Sequence, residues 1–146
     1  MILAETAFST QDSVKERLET ILAKLFLKLI PQDVFVNMSA KRYGYPNQDI
    51  GEFIKGEMSI YDHQTGIRVM SAAFSFSSKE QLQNIQAPTL VIIAQYNPQT
   101  HAQGKLLAEL IPNARLEIIP QANHMANLDN PQMFNQSVFA FLNEST

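Results

Sequence analysis

Cysteine is absent from this 146-residue sequence, and neither acidic nor basic residues are in large excess. Without cysteine the chain can form no disulfide, no thiolate metal site and no cysteine nucleophile, a composition compatible with a reducing compartment. The formal net charge is only −3, so the sequence predicts no basic surface for nucleic acid and none for an anionic membrane. Hydrophobic residues make up 45% of the chain and charged residues 17%, proportions typical of a globular domain.

Long apolar runs are also missing. Glu5 interrupts the apolar start of the chain, whereas a signal peptide needs a basic start followed by about 7 to 15 apolar residues. No other apolar run approaches the roughly 18 residues that indicate a membrane-spanning helix. The sequence therefore predicts a cytoplasmic protein that does not bind membranes.

The first half of the chain has mainly helical patterns. Residues 1–4 form a short apolar run that could be a buried strand. Apolar residues at helical spacing then extend from Val14 to Leu29, and Ser13 with Glu16 fits a capping box at the start of that helix. Three more helices are predicted, at 32–43, after Asn47 and from about 65 to 74. We expect residues 10–80 to form a helical unit with a broad apolar surface.

The second half alternates strands with helices. The continuous β-branched run at 89–93 is typical of a parallel strand buried on both faces, and 115–119 predicts another strand. Helical patterns occupy about 100–110 and 131–143, the latter opened by Asn130-Pro131. The last helix is expected to bury four apolar side chains: Phe134, Val138, Phe139 and either Phe141 or Leu142. This alternation predicts right-handed crossovers and an α/β fold with a parallel sheet.

Four sequence segments of the second half follow one another in a recognisable order: Ile85–Ile93, Leu110–Pro120, Ala122–Met125 and Asn130–Asn135. Together they resemble the last two strands, the histidine loop and the final helix of α/β-hydrolases. Residues 1–9 are similar to the strand that precedes the helical lid of that family. The resemblance implies a partial α/β-hydrolase fold with three parallel strands, flanking helices and a lid of about four helices. The first strand would be 1–9, the lid 10–84 and the rest of the core 85–146.

The nucleophile of the family is absent from these residues. Acyl transfer needs a hydroxyl on a strained Gly-x-Ser-x-Gly elbow, a histidine base, an acid that orients the histidine, and donors for the oxyanion. None of the five glycines brackets a serine in that pattern. The resemblance therefore implies a hydrolase-related chain without the nucleophile-bearing half, inactive as a hydrolase on its own.

Three residues match the rest of the family's machinery. His124 lies at the position of the general base, although Gln121 and Asn123 stand where the family often has glycines. Asn97 replaces the aspartate that usually follows the penultimate strand, and an amide cannot stabilise an imidazolium by charge. Glu5 is the alternative acid, because some relatives, haloalkane dehalogenases among them, place the acid after the strand that residues 1–4 resemble. The alternative interpretations are that His124 is a structural loop histidine and that Glu5 is a solvated carboxylate at the end of a strand.

Other polar residues carry no such pattern. The spacing of Asp62, His63 and His101 does not indicate a metal site, and we interpret them as surface or loop residues. No cofactor is predicted. The chain is therefore expected to act, if it acts in chemistry at all, through the three residues named above.

The edge of the sheet at residues 1–4 would be left open, and an open apolar edge needs a cover. A second copy pairing through residues 1–6 would cover it, as would a separate N-terminal hydrolase half. Three functions remain open from sequence. The chain could be part of a split or truncated hydrolase of esters or amides, a non-catalytic module for a small apolar ligand or a protein, or a remnant without its own function.

Overall fold

The computed structural model describes residues 1–9 and 13–144. The chain divides into two compact units. The sheet unit comprises Met1–Ala7 and Lys79–Thr146, and the helical unit comprises Phe8–Ser78. A short 3-10 helix, Lys79–Asn84, packs in the sheet unit, so that segment does not belong with the helices of the predicted lid 10–84. The expected helix-capping residues at 10–12 lie outside the described residues.

The sheet unit contains three parallel strands in the order β1 (Ile2–Ala4), β2 (Thr89–Ala94) and β3 (Ala114–Ile119). Every residue of β2 is buried, because neighbouring strands cover both of its edges and helices cover its faces. The predicted α/β class and parallel sheet are thus confirmed. Because the strands are parallel, the carboxyl-terminal ends of all three lie at the same end of the sheet.

Seven helices accompany the strands in the described part of the chain. Four form the helical unit: α1 (Val14–Leu29), α2 (Gln32–Tyr43), α3 (Gln48–Ile60) and α4 (His63–Ala73). Three belong to the sheet unit: α5 (Pro98–Leu110), α6 (Ala126–Asp129) and α7 (Pro131–Glu144). No helix among residues 1–9 and 13–144 is both long enough and apolar enough to cross a bilayer.

Local hydrogen bonds account for the helix starts. Ser13 Oγ accepts from the backbone N–H of Glu16, and the Glu16 carboxylate accepts from the backbone N–H of Ser13, which confirms the capping box. Asn47 caps α3 as predicted. The fourth helix begins earlier than about residue 65, because Asp62 accepts from the backbone N–H of Thr65 and so caps the chain at His63.

The core of the sheet unit lies between the sheet and the final helices. Its buried members are Leu90, Ile92, Ala94, Ile119, Ala122, Ala126 and Phe141. Phe134 and Val138 of α7 pack against them, as predicted, but Phe139 is 63% exposed and that part of the prediction was wrong. Each residue turns a helix by about 100°, so a side chain one position after Val138 leaves the face shared by residues 134, 138 and 141.

The apolar stripe of α1 remains open in the described structure. Its six members, Val14, Leu18, Ile21, Leu22, Leu25 and Leu29, are between 51% and 84% exposed, whereas Thr20 and Leu27 of the same helix are buried. We call these six side chains the α1 apolar face. An exposed apolar surface of this extent is typical of a contact surface.

Candidate functional site

Each of the three residues singled out from sequence follows a different strand of the sheet. Glu5 follows β1, Asn97 lies at the start of α5 just after β2, and His124 lies in the loop after β3. Because the strands are parallel and adjacent, these positions lie together at the carboxyl-terminal end of the sheet. The structure thus brings all three side chains together. We call them, with Thr100, the acid–histidine cluster.

The Glu5 carboxylate is buried and fully hydrogen-bonded. Its side chain is only 6% exposed. One oxygen accepts from the backbone N–H of Ala94; the other accepts from Asn97 Nδ2 at 2.5 Å and from Thr100 Oγ1 at 3.1 Å. Glu5 is therefore not a solvated strand-end carboxylate. Its backbone has a φ of 50°, a left-handed conformation unusual outside glycine, and its N–H still donates to the Ile92 carbonyl at 2.9 Å.

Asn97 bridges the acid and the histidine. It is 3% exposed, and its Nδ2 lies 2.5 Å from Glu5 Oε2 and 3.3 Å from His124 Nδ1. The opposite amide orientation would set Oδ1 against the Glu5 carboxylate, acceptor against acceptor, so the orientation with Nδ2 between the two partners is the favourable one. One amide hydrogen then points to Glu5 and the other to His124. A neutral His124 that accepts this hydrogen bond through Nδ1 carries its own proton on Nε2.

The His124 imidazole is accessible on one side and approaches the acid on the other. Its side chain is 41% exposed, and Nδ1 lies 3.5 Å from Glu5 Oε2. That separation is too long for a good hydrogen bond and short enough for a strong charge interaction once the imidazole is protonated. The accessible side is the one from which an imidazole could take a proton from another group.

The loop that carries His124 is held by hydrogen bonds rather than by glycines. Gln121 adopts a φ of 55°, and its backbone N–H donates to Gln95 Oε1 at 2.8 Å. The backbone N–H of His124 donates to Asn123 Oδ1 at 2.8 Å. The left-handed conformation that glycine favours is therefore adopted here by Gln121 with a side-chain partner, so the departure from the family's glycines is tolerated.

Asp129 anchors the same loop from α6. Its Oδ2 accepts from the backbone N–H of Asn123 at 2.8 Å, while Oδ1 is buried and has no hydrogen-bond partner among the described residues. Burial raises the pKa of this carboxyl, and the hydrogen bond from Asn123 offsets only part of that effect. Ionised Asp129 is therefore a destabilising charge beneath the histidine loop.

Asp129→Asn is expected to change how stability depends on pH. The folded-state pKa is raised, so the folded chain holds this proton more tightly than the unfolded chain does. The stabilising effect of protonation is complete below the unfolded-state pKa and is lost as the pH rises through the folded-state pKa. The variant, which cannot ionise, should lose this part of the decline in urea midpoint with rising pH. An identical pH profile for the variant and the parent chain would contradict the assignment.

The three other polar residues considered from sequence, His101, Asp62 and His63, lie outside the acid–histidine cluster. His101 lies in α5, half-buried, with Nε2 2.8 Å from the carbonyl of Ala94, so it is not a free surface histidine. Asp62 and His63 belong to the helical unit. Among residues 1–9 and 13–144, no group of three or more His, Cys, Asp or Glu side chains could hold a metal ion. Sequence reasoning missed Thr100, which has no motif and was found only by its contact with Glu5.

Comparisons with known proteins identify the fold of the chain. No protein-family model matches the chain. The chain is 40% identical over 65 residues to 3-oxoadipate enol-lactonase 2 of Acinetobacter baylyi, a match covering 44% of this chain and 24% of that protein. In structure it is similar to MenH from S. aureus, with a TM-score of 0.83 and 20% identity, covering 99% of this chain and 58% of that one. The enol-lactonase from Burkholderia xenovorans gives a TM-score of 0.78 at 20% identity, covering 97% and 55% of the two chains.

These proteins share one fold, and this chain matches only part of it. The chain spans about a quarter of the curated relative and little more than half of the two solved structures. The matching part includes the three parallel strands and the helices between and after them. The chain therefore has part of the α/β-hydrolase fold, the fold of the proteins to which it is similar.

Proposed function

We propose that this chain supplies the acid and the histidine of a hydrolase active site whose nucleophile lies outside these 146 residues. The observation that carries the proposal is the buried Glu5 carboxylate, 3.5 Å from Nδ1 of the accessible His124. In this role His124 is the general base and Glu5, rather than Asn97, is the acid. The bond cleaved would be an ester, an amide or a similar acyl bond, by analogy with the fold.

The cluster has the charges that proton transfer requires. When a hydroxyl attacks an acyl carbon, the base takes the hydroxyl proton and becomes an imidazolium, and later gives the proton to the leaving group. The negative charge of Glu5 stabilises that imidazolium at short range, whereas the neutral amide of Asn97 cannot. The acid function is therefore assigned to the end of β1 and not to the end of β2.

Asn97 sets the resting state of the histidine. With the proton on Nε2, His124 cannot accept a hydrogen from a nucleophile at that atom. For His124 to act as a base, Nδ1–H must instead donate to Glu5 Oε2, and the Asn97 amide must give up its bond to Nδ1. We propose that completion of the site by the nucleophile-bearing part shifts His124 to this tautomer.

The nucleophile-bearing part would also cover open surfaces of the chain. Among the described residues, β1 pairs only with β2, so its second edge has no strand partner, and the α1 apolar face is exposed as well. A strand from the nucleophile-bearing part would fit the edge at residues 1–6, and so would a second copy of this chain related by a two-fold axis. Under this proposal the helical unit is the lid of the completed enzyme.

Mixing experiments test the proposal directly. The chain alone should take no covalent label from a fluorophosphonate and should not hydrolyse nitrophenyl acetate. Addition of a polypeptide that supplies the rest of an α/β-hydrolase fold, including a Gly-x-Ser-x-Gly elbow, should produce a complex with esterase activity, and the matched mixture with His124→Ala should be inactive.

Light scattering on the same samples identifies what covers the edge of β1. A homodimer that dissociates when the second half is added would show that both occupants use this edge. A serine adduct on the chain alone, or equal activity of the complexes with His124 and with alanine at that position, would refute the proposal.

A further inference from the structure

A cavity of about 350 Å³ lies within the helical unit. Its lining includes Leu27 of α1 and Val36 of α2, which are 6% and 4% exposed. Phe35, Met58 and Met70 contribute further apolar walls. All residues that line the cavity lie in the helical unit, so it shares no residue with the acid–histidine cluster.

The polar groups around the cavity are mostly committed to the protein itself. Gln32 Nε2 donates to the carbonyl of Tyr61 at 2.6 Å and joins the start of α2 to the end of α3. Asp62 accepts from the side chain of Thr65 at 2.6 Å and from its backbone at 3.0 Å, and these bonds lower the pKa of Asp62. No lysine or arginine is among the residues that line the cavity in the described structure. A bound anion would therefore meet the Asp62 carboxylate, and Arg68, the cation that acts on Asp62, does not line the cavity.

Two polar side chains of the lining, His63 and Tyr61, are not committed in this way. His63 is half-buried at the first position of α4, and its imidazole has no hydrogen-bond partner among the described residues. An imidazole offers one donor and one acceptor when neutral. The cavity therefore combines apolar walls with a few hydrogen-bonding groups, among them the His63 imidazole.

We propose that this cavity binds a small, neutral, largely apolar molecule and holds its polar group against His63. The volume falls in the range of about 300 to 1,000 Å³ that is typical of small-molecule sites. A helix with its side chains is about 10 to 12 Å across and would need a longer groove. The thioether chains of Met58 and Met70 can adjust to the shape of an apolar guest. Binding at this site does not depend on whether Glu5 and His124 act in catalysis.

Two glycines provide a matched pair of variants. A Cβ added at Gly66, which lines the cavity, would meet no atom within 4 Å, and the same holds for Gly56 in α3, which does not line it. Both glycines are helical, so a leucine at either position adds the same side chain to a helix and removes the same backbone flexibility. Only Gly66→Leu adds that side chain at the cavity wall.

The test uses the whole chain and the neutral fluorophore phenylnaphthylamine. We expect a saturable rise in emission with one site per chain. Gly66→Leu should weaken binding by about tenfold or more, whereas Gly56→Leu should bind like the parent chain. The sulfonated analogue anilinonaphthalene sulfonate should bind more weakly than the neutral probe, because its charge would meet the Asp62 carboxylate and no cation of the cavity lining. His63→Leu, which keeps the walls apolar, is a second variant that should also weaken the neutral probe.

Three results would overturn the proposal. Equal affinity of the Gly66→Leu and Gly56→Leu chains would place the probe elsewhere, for example on the α1 apolar face. Tighter binding of the sulfonate would contradict a neutral ligand. A change in oligomeric state on Gly66→Leu, measured by light scattering, would show that a second copy of the chain occupies the cavity instead.

Discussion

In an enzyme completed with a nucleophile-bearing half, Glu5→Gln is expected to lower kcat by about four orders of magnitude, the effect of the acid-to-amide exchange in the serine-protease triad. Adding Asn97→Asp to that variant should restore most of the loss. Asn97 Nδ2 lies 3.3 Å from His124 Nδ1, so an aspartate there would set a carboxylate oxygen against the imidazole. The double variant moves the charge from the end of β1 to the end of β2 without changing the total.

The single variant Asn97→Asp is the control for this exchange. It would place a second carboxylate beside Glu5, whose Oε2 is 2.5 Å from the present amide nitrogen. Two carboxylates at that distance cannot both ionise, so the pair would carry one negative charge and the single variant should be no more active than the double variant. Loss of less than about tenfold on Glu5→Gln would contradict the assignment of Glu5 as the acid.

The isolated chain offers a readout of the same cluster that does not depend on activity. Nitrogen chemical shifts of the His124 imidazole distinguish the two tautomers. They should report the proton on Nε2 in the parent chain and on Nδ1 after Asn97→Ala, because Glu5 would then be the remaining acceptor near Nδ1. An unchanged tautomer in Asn97→Ala would refute the role given to the amide, and would leave the assignment of Glu5 to be decided by the kinetic exchange.

Leu90→Ala should destabilise the sheet unit by about 2 to 5 kcal/mol, the range for large-to-small substitutions in a core. Leu90 is fully buried in the central strand, and it lies in the cluster that also contains Ile92 and Phe141. It is paired with Ile2 of β1, so the void would open next to the strand that presents Glu5. Urea unfolding followed by far-ultraviolet circular dichroism measures the effect.

Ile118→Ala is the matched control for this substitution. Ile118 lies on β3, in the same sheet, and is 51% exposed. Its truncation removes a similar side chain but leaves no enclosed cavity, so its cost should be clearly smaller. Equal midpoints for the two variants would show that β2 is not the centre of the core.

The order of elements follows from local patterns, and the place of the site was implied by the resemblance to α/β-hydrolases. The capping box at Ser13 and the cap at Asn47 were predictable because their partners lie within three residues. The unbroken apolar run of β2 predicted a strand buried on both faces, and parallel strands bring their carboxyl ends together. The resemblance to α/β-hydrolases therefore implied that Glu5, Asn97 and His124 follow neighbouring strands.

The tertiary structure decided which of these residues can act together and how. Glu5 and Asn97 are 92 positions apart. No pattern along the chain reveals that one oxygen of the Glu5 carboxylate accepts hydrogen bonds from both Asn97 and Thr100. The exposed Phe139 and the α1 apolar face show the same limit of prediction from sequence. Periodicity predicts that a helix has an apolar side, but only the packing of distant segments determines whether another surface covers it. Caps and buried strands depend on neighbours in sequence, whereas an active-site geometry depends on distances of a few ångströms between segments that meet only in the folded chain.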